Sequence, residues 1–195
     1  MLKVKRNMIK EMLRKVEIGI VKKQGIFVNQ VKYSYLSLGS NLGNREQNLN
    51  KAKYLLNIFD IKIIKCSNLY ETESWPNKKY PKYLNIVIKI KTLNTLIELF
   101  RIIKLIEKIL GRKKDTKNSP RTCDIDILDF DQKMFDKTVD NSQLIVPHPR
   151  LHNRNFVLIP LFDIDKNWKH PKLKLNITKL LLKIKSIDLR SIKLL

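Results

Sequence analysis

The stretch Leu96-Ile97-Glu98-Leu99-Phe100-Arg101-Ile102-Ile103-Lys104-Leu105-Ile106-Glu107-Lys108-Ile109-Leu110-Gly111 organises the rest of the chain. Leu96, Leu99, Phe100, Ile103, Ile106 and Leu110 recur at helical spacing, so one face of this segment is apolar. Asn94 or Thr95 is placed to cap its start, and Gly111 to stop it. Before it, Tyr83 to Ile90 sets Leu84, Ile86, Ile88 and Ile90 at every second position, the period of a strand. After it comes a basic loop, Arg112 to Pro120, and then a second strand, Arg121 to Phe130. Further out, Tyr33 to Leu38 reads as a strand ended by Gly39-Ser40-Asn41. Asn44 begins a helix, with Gln47 as reciprocal partner in a capping box. Leu49, Ala52, Leu55, Leu56 and Phe59 give that helix its apolar face, and Ile61 to Tyr70 is strand-like. A loop from Glu71 to Lys82 is broken by Pro76 and Pro81. The order β-α-β-β-α-β predicts an α+β, ferredoxin-like core: a four-stranded antiparallel sheet with helices on one face. Beyond it lie a His-Pro segment, an apolar run from Phe156 to Phe162, and a C-terminal helix near Ile177 to Ile187.

Composition narrows the function classes. The 195 residues carry 40 basic and 18 acidic side chains, a net charge of +22. Such a charge invites nucleic acid. However, 31 Lys against 9 Arg, 25 Ile, 17 Asn and a single Ala are the skew of an A/T-rich genome. Codon composition accounts for the charge more simply than a polyanion partner does. No apolar run approaches the roughly 20 residues of a membrane span, and the N-terminus is too charged for a secretory signal. Cys66 and Cys123 are far apart and form no C-x-x-C pair, which argues against a zinc site and fits a reducing, cytoplasmic setting. Residues 1–32 read as a basic N-terminal extension of no assigned role, with Met1 to Val16 able to form a basic helix. Residues 33–195 read as the working domain.

The chemistry concentrates in Pro120-Arg121-Thr122-Cys123-Asp124-Ile125-Asp126-Ile127-Leu128. On a strand, residues two apart share a face. Thr122, Asp124 and Asp126 then lie on one side, and Cys123, Ile125 and Ile127 face the core. Two neighbouring carboxylates repel unless a cation lies between them. Mg²⁺ suits them, as a hard ion held by one or two carboxylates with phosphate oxygens and water. Arg121 opens the same strand, and Arg112, Lys113 and Lys114 precede it. Carboxylate-held metal flanked by cations is the equipment of phosphoryl transfer. Taken alone, the pair reads equally well as a solvated edge. Asp129, Asp131 and Asp136 read as turn residues at or beyond the strand end.

These segments, in order, resemble the 6-hydroxymethyl-7,8-dihydropterin pyrophosphokinase family. The resemblance runs from Tyr35 to Asp163. It is carried by Leu36-Ser37-Leu38-Gly39-Ser40-Asn41-Leu42-Gly43, Ser67-Asn68-Leu69-Tyr70-Glu71-Thr72, Tyr83-Leu84-Asn85, and Ile106-Glu107 with Gly111-Arg112. The Asp124/Asp126 strand, Val146-Pro147-His148-Pro149 and Asn153-Arg154-Asn155-Phe156 complete it. It implies transfer of the β,γ-diphosphate of ATP to a pterin hydroxymethyl group in folate biosynthesis, with AMP as the other product. It further implies two Mg²⁺ ions on Asp124 and Asp126, catalytic roles for those two residues with Arg112 and Arg121, and ATP contacts from Glu107, Arg112, Lys114, Arg121, Ile127, His148 and Arg154. Thr72, Tyr83, Asn85 and Phe156 match the pterin pocket. The implied protein is a cytoplasmic monomer that binds ATP and the dihydropterin, without membrane or nucleic acid partners.

The chemistry of the side chains agrees. Flat heterocycles are held by offset aromatic faces, and an Asn offers both a donor and an acceptor to an amide-like edge. On residue type alone, Phe156 reads as core and Tyr83 as β-propensity, and Asn41 reads as ordering its own turn. Ser119 replaces the Gly or Ala usual before Pro120, and Lys114 stands where an Arg is frequent, losing the planar fork. Two rival readings share much of this pattern: an RNA-binding module of the same element order, and a pterin- or ATP-binding homologue without catalysis.

Overall fold

A computed structural model describes residues 30–112 and 119–195. Contacts divide the chain into Met1–Gln30 and Val31–Leu195. The predicted basic helix at Met1 to Val16, and Lys113 and Lys114, lie outside the described residues.

The second unit is α+β. Strand β1 (Lys32–Ser40) lies between β4 (Tyr83–Thr92) and β5 (Asp124–Phe130). Both β2 (Lys62–Cys66) and β3 (Tyr70–Thr72) pair with β4, and β8 (Lys193–Leu194) adds to β3. Every pairing is antiparallel. The sheet thus has six strands rather than the four expected. The segment Ile61 to Tyr70, read as one strand, is two. Ser67 makes the break: its hydroxyl accepts from Val87 N–H at 3.0 Å and donates to the Asn68 carbonyl at 2.8 Å. This local bonding competes with the strand ladder.

Helix α1 (Arg45–Ile58) is N-capped by the Asn44 side chain, which accepts from Gln47 N–H. The reciprocal capping box stands instead on α2 (Leu96–Ile109), where Thr95 and Glu98 cap each other. Both helices pack on the face of the sheet that carries Leu36, Leu38, Ile86, Ile88, Ile90, Ile125 and Ile127, all buried. Leu99, Ile103 and Ile106 of α2 are 0 % exposed, and burying each contributes about 1.5–3 kcal/mol.

The opposite face is not bare, which corrects the expectation of helices on one side only. The apolar run becomes α3 (Asn155–Ile164), whose Val157, Leu158 and Leu161 pack with Tyr35, Val87, Leu128 and Trp168. The single C-terminal helix expected is two short ones, α4 (Ile177–Leu181) and α5 (Ser186–Arg190). A hairpin of β6 (Phe135–Val139) and β7 (Ser142–Val146) was not anticipated. Asp136 belongs to it and is not a turn residue. Asp129 also lies within a strand, 1 % exposed. A β-bulge at Leu128 re-aims it, so that it accepts from Trp168 Nε1 at 2.8 Å and Gln132 N–H at 3.0 Å. Asp131 does sit in the turn that follows, with φ of 54°.

Helix α3 covers part of this second face, and Asp124 and Asp126 stay part-exposed on it. Residues paired across strands share a face. Asn85, Gly39 and Asp124 therefore form one row, and Val87, Ser37 and Asp126 the next.

Candidate active site

Strand β5 begins at Asp124, three residues later than the sequence pattern suggested. Arg121 and Thr122 precede it in a bend, and the Thr122 hydroxyl is buried without a hydrogen-bond partner among the described residues. The alternation within the strand holds. Cys123, Ile125 and Ile127 are buried in the core, while Asp124 and Asp126 are part-exposed on the open face, at 26 % and 34 % of their side chains.

Asp124 meets two arginines and Asp126 one, from separate parts of the chain. Arg112 Nη1 lies 2.6 Å from Asp124 Oδ1, and Arg121 Nη1 lies 2.7 Å from Asp124 Oδ2. Arg154 Nη1 donates to Asp126 Oδ2 at 3.0 Å, and its guanidinium stands over the Phe156 ring, 5.4 Å from the centroid. His148 Nε2 is 3.7 Å from the same Asp126 oxygen. Since His148 Nδ1 accepts from Arg150 N–H, a neutral ring carries its proton on Nε2, facing the carboxylate.

Local structure explains these positions. Helix α2 ends in a Schellman turn: Gly111 N–H bonds the Lys108 carbonyl and Arg112 N–H the Glu107 carbonyl, both at 3.0 Å. Gly111 supplies the left-handed residue, φ +86°. The turn throws Arg112 back over its own helix, where its guanidinium bonds Glu107. Glu107, 2 % exposed, also accepts from Lys104 Nζ and from Ile125 N–H, both at 2.9 Å. One buried carboxylate thus joins α2, β5 and Arg112. Arg121 is set by Asn41, 1 % exposed, whose Oδ1 accepts from Arg121 N–H at 2.7 Å. Asn41 Nδ2 donates to Ser74 Oγ and to the Pro81 carbonyl.

The electrostatics follow from this crowding. Burial works to raise the Asp124 carboxyl, but Arg112 and Arg121 outweigh it and hold the group below the usual carboxylate range. For Glu107 burial prevails over Lys104 and Arg112 and pushes the carboxyl up. Burial also lowers the His148 imidazole, against the pull of Asp126.

Next to the carboxylates, Asn85 Nδ2 donates to Thr72 Oγ1 at 2.9 Å; both residues are buried. Tyr83 stands opposite Thr72 in the β3–β4 register, and burial raises its phenol. On the other flank a cleft of about 340 Å³ is lined by Phe100, Lys104, Asp126, Ile127, Leu144 and His148 among others. Of the residues singled out from the sequence, Arg112, Arg121 and Glu107 gather with Asp124, and His148 and Arg154 with Asp126, two groups side by side on one strand. Thr72, Tyr83 and Asn85 adjoin them, Ile127 lines the cleft, and Phe156 is tied in through Arg154. Lys114 lies outside the described residues.

Lys104, Asn41 and the β6–β7 hairpin were missed as parts of the site. Signals existed for two of them. Lys104 is three residues before Glu107, a helical neighbour, and Asp140-Asn141 is a hairpin turn pair, with φ of 48° and 61°.

Comparison with known proteins finds relatives of one family. The family model described as 7,8-dihydro-6-hydroxymethylpterin-pyrophosphokinase (HPPK) matches residues 35–166. A 2-amino-4-hydroxy-6-hydroxymethyldihydropteridine pyrophosphokinase of Bacillus subtilis is 39 % identical over 132 residues, 67 % of this chain and 77 % of that protein. The folic acid synthesis protein fol1 of Pneumocystis carinii is 39 % identical over 158 residues, 81 % of this chain but 21 % of that longer protein. Among solved structures, a Plasmodium falciparum HPPK-DHPS crystallised with pterin and p-hydroxybenzoate superposes with a TM-score of 0.69. It shares 18 % identity and covers 85 % of this chain and 48 % of its own, a likeness of fold.

Proposed function

The chain belongs to the 7,8-dihydro-6-hydroxymethylpterin-pyrophosphokinase family, and we propose on that premise that it transfers diphosphate from ATP to 6-hydroxymethyl-7,8-dihydropterin in folate biosynthesis. The observation that supports the reading is the row Asn85–Gly39–Asp124, in which an amide suited to the acceptor and a carboxylate suited to the metal share one face of the sheet.

In the reaction the acceptor's hydroxymethyl oxygen attacks the β-phosphorus of ATP and gives up its proton. The bond from the β-phosphorus to the bridging oxygen breaks, that oxygen leaves with AMP, and the β- and γ-phosphates stay on the pterin. Most of the catalysis is positioning and charge neutralisation. Arg112, Arg121 and Arg154 are the cations for the phosphate oxygens, with fork-shaped guanidiniums suited to them. Glu107 serves the ATP side by orienting Arg112. His148 and Ile127, on the cleft wall, border the nucleotide. Tyr83 and Phe156 offer ring faces to the pterin, and Asn85, oriented by Thr72, reads its edge. Lys114 adds a further cation to the ATP side.

The donor set fits Mg²⁺. Two hard carboxylates share a strand face, and no group of three or more His, Cys, Asp or Glu among the described residues makes a protein-only cage. That suits an ion that keeps water and phosphate oxygens. Asp124 and Asp126 would hold two such ions with ATP, and the metal would supply neutralisation of the charge on the phosphates. The catalytic domain is residues 33–195, and the first 32 are an extension outside the chemistry. None of the helices among the described residues is long and apolar enough to cross a membrane.

The test is incubation with ATP, Mg²⁺ and the hydroxymethyl-dihydropterin. AMP is the expected nucleotide product; ADP, or no turnover, overturns the reading.

A further inference from the structure

Gly39 sits at the centre of the row that joins the two halves of the site. It pairs with Asn85 of β4 on one side and Asp124 of β5 on the other. Asn85 and Asp124 are thus two strand spacings apart, roughly 10 Å, with the backbone of Gly39, itself buried, between them. A methyl group at Gly39 would stand 3.2 Å from Asn85 Oδ1 and 3.5 Å from Tyr83 Cδ1. The first distance is shorter than ordinary van der Waals contact, so the amide would have to move. Asn85 is not free to yield, because it is 3 % exposed and its Nδ2 is bonded to Thr72 Oγ1. The Gly39 backbone does not have the left-handed φ found at Gly43 and Gly111. Its glycine therefore answers a need for space rather than for conformation.

We infer that Gly39 is a specificity-determining position, the bare floor of the acceptor slot, and that its missing side chain sets how closely the flat acceptor approaches the Asp124 end. The inference rests on the proposed reaction. It makes a separable prediction, since the three atoms nearest an added methyl belong to Asn85 and Tyr83 and none to Asp124, although Gly39 pairs with both strands.

The experiment compares wild type with Gly39→Ala in steady-state AMP release, varying ATP and the hydroxymethyl-dihydropterin in turn, with melting temperatures measured alongside. The expected result is a rise of at least tenfold in KM for the pterin, a KM for ATP within twofold, and a melting temperature within a few degrees of wild type. Unchanged pterin KM overturns the inference. So does an equal loss for both substrates, which marks a merely structural glycine. Should Gly39→Ala not fold, Asn85→Ser is compared with Gly39→Ala/Asn85→Ser, in which the 3.2 Å contact is gone. The added methyl is expected to weaken pterin binding several-fold further, and no further loss overturns the inference. Absence of AMP from the wild type sinks the proposed reaction itself, an outcome distinct from all of these.

Discussion

Asn41 and Arg121 are bonded to each other in both directions. The Arg121 N–H donates to Asn41 Oδ1 at 2.7 Å, and the Asn41 N–H donates to the Arg121 carbonyl at 3.1 Å. The same Asn41 amide holds Ser74 and Pro81. One buried side chain thus clamps the arginine beside Asp124 to the loop before Tyr83. Leaving such partners unpaired costs about 1–3 kcal/mol. Asn41→Ala is expected to lower kcat for AMP release at least tenfold and to lower the melting temperature by several degrees. A variant with normal kcat would show that Arg121 is positioned without the clamp.

The metal reading makes Asp126 decisive. Asp126→Ala is expected to cut diphosphate transfer by about 10³-fold, on the scale of lost electrostatic stabilisation, with an unchanged circular dichroism spectrum. EDTA is expected to remove ATP binding measured by calorimetry. Full turnover in the variant, or ATP binding indifferent to EDTA, would refute the assignment.

Gly111 offers a test of how Arg112 is aimed. An Ala at φ +86° costs about 1 kcal/mol of strain. Gly111→Ala is expected to show that loss in urea denaturation and, by shifting the Schellman turn, a kcat reduced by about tenfold or more. Stability lost without any loss of kcat would separate the turn from the chemistry.

A pH test is available away from the site. Burial, aided by His152 and Lys172, lowers the His170 imidazole to about 4, and its Nδ1 accepts from Lys172 N–H and Leu173 N–H. The unfolded chain takes up the proton first. This contribution is therefore complete above the unfolded value of 6.5, declines as pH falls from there towards 4, and is gone below it. Unfolding free energy is expected to fall by about 2 kcal/mol from pH 7 to pH 5 through this group alone. In His170→Gln the pH dependence should shrink by that amount. An identical slope in wild type and variant would exonerate His170.

Much of this site was legible because strand and helix periods are local. Leu84 to Ile90 and the Asp124–Asp126 alternation place side chains on faces without reference to the rest of the chain. The capping of α2 by Thr95 and its stop at Gly111 are equally local. What escaped depends on partners distant in sequence. Asp129 looks like a turn residue until Trp168, 39 positions on, is seen to bond it. The break between β2 and β3 is made by Ser67 bonding Val87, 20 residues away. Asn41 gives no hint in its own neighbourhood that it holds Arg121, 80 residues distant. Helix α3 takes the second face of the sheet because Val157, Leu158 and Leu161 find Tyr35 and Val87 there, a match that no single segment announces.

The last strand has a practical bearing. Leu194 pairs with Tyr70, Lys193 with Glu71, and Leu195 N–H bonds the Leu69 carbonyl. The next residue of that partner strand is Thr72, which bonds the Asn85 amide. Anything coupled to Leu195, whether a purification tag, a surface tether or a dye, would pull on the strand that carries Thr72, at the edge of the pterin pocket we propose. On that proposal a tether there loads the acceptor half of the site rather than the nucleotide half, and an environment-sensitive dye there would report the pterin's arrival independently of ATP.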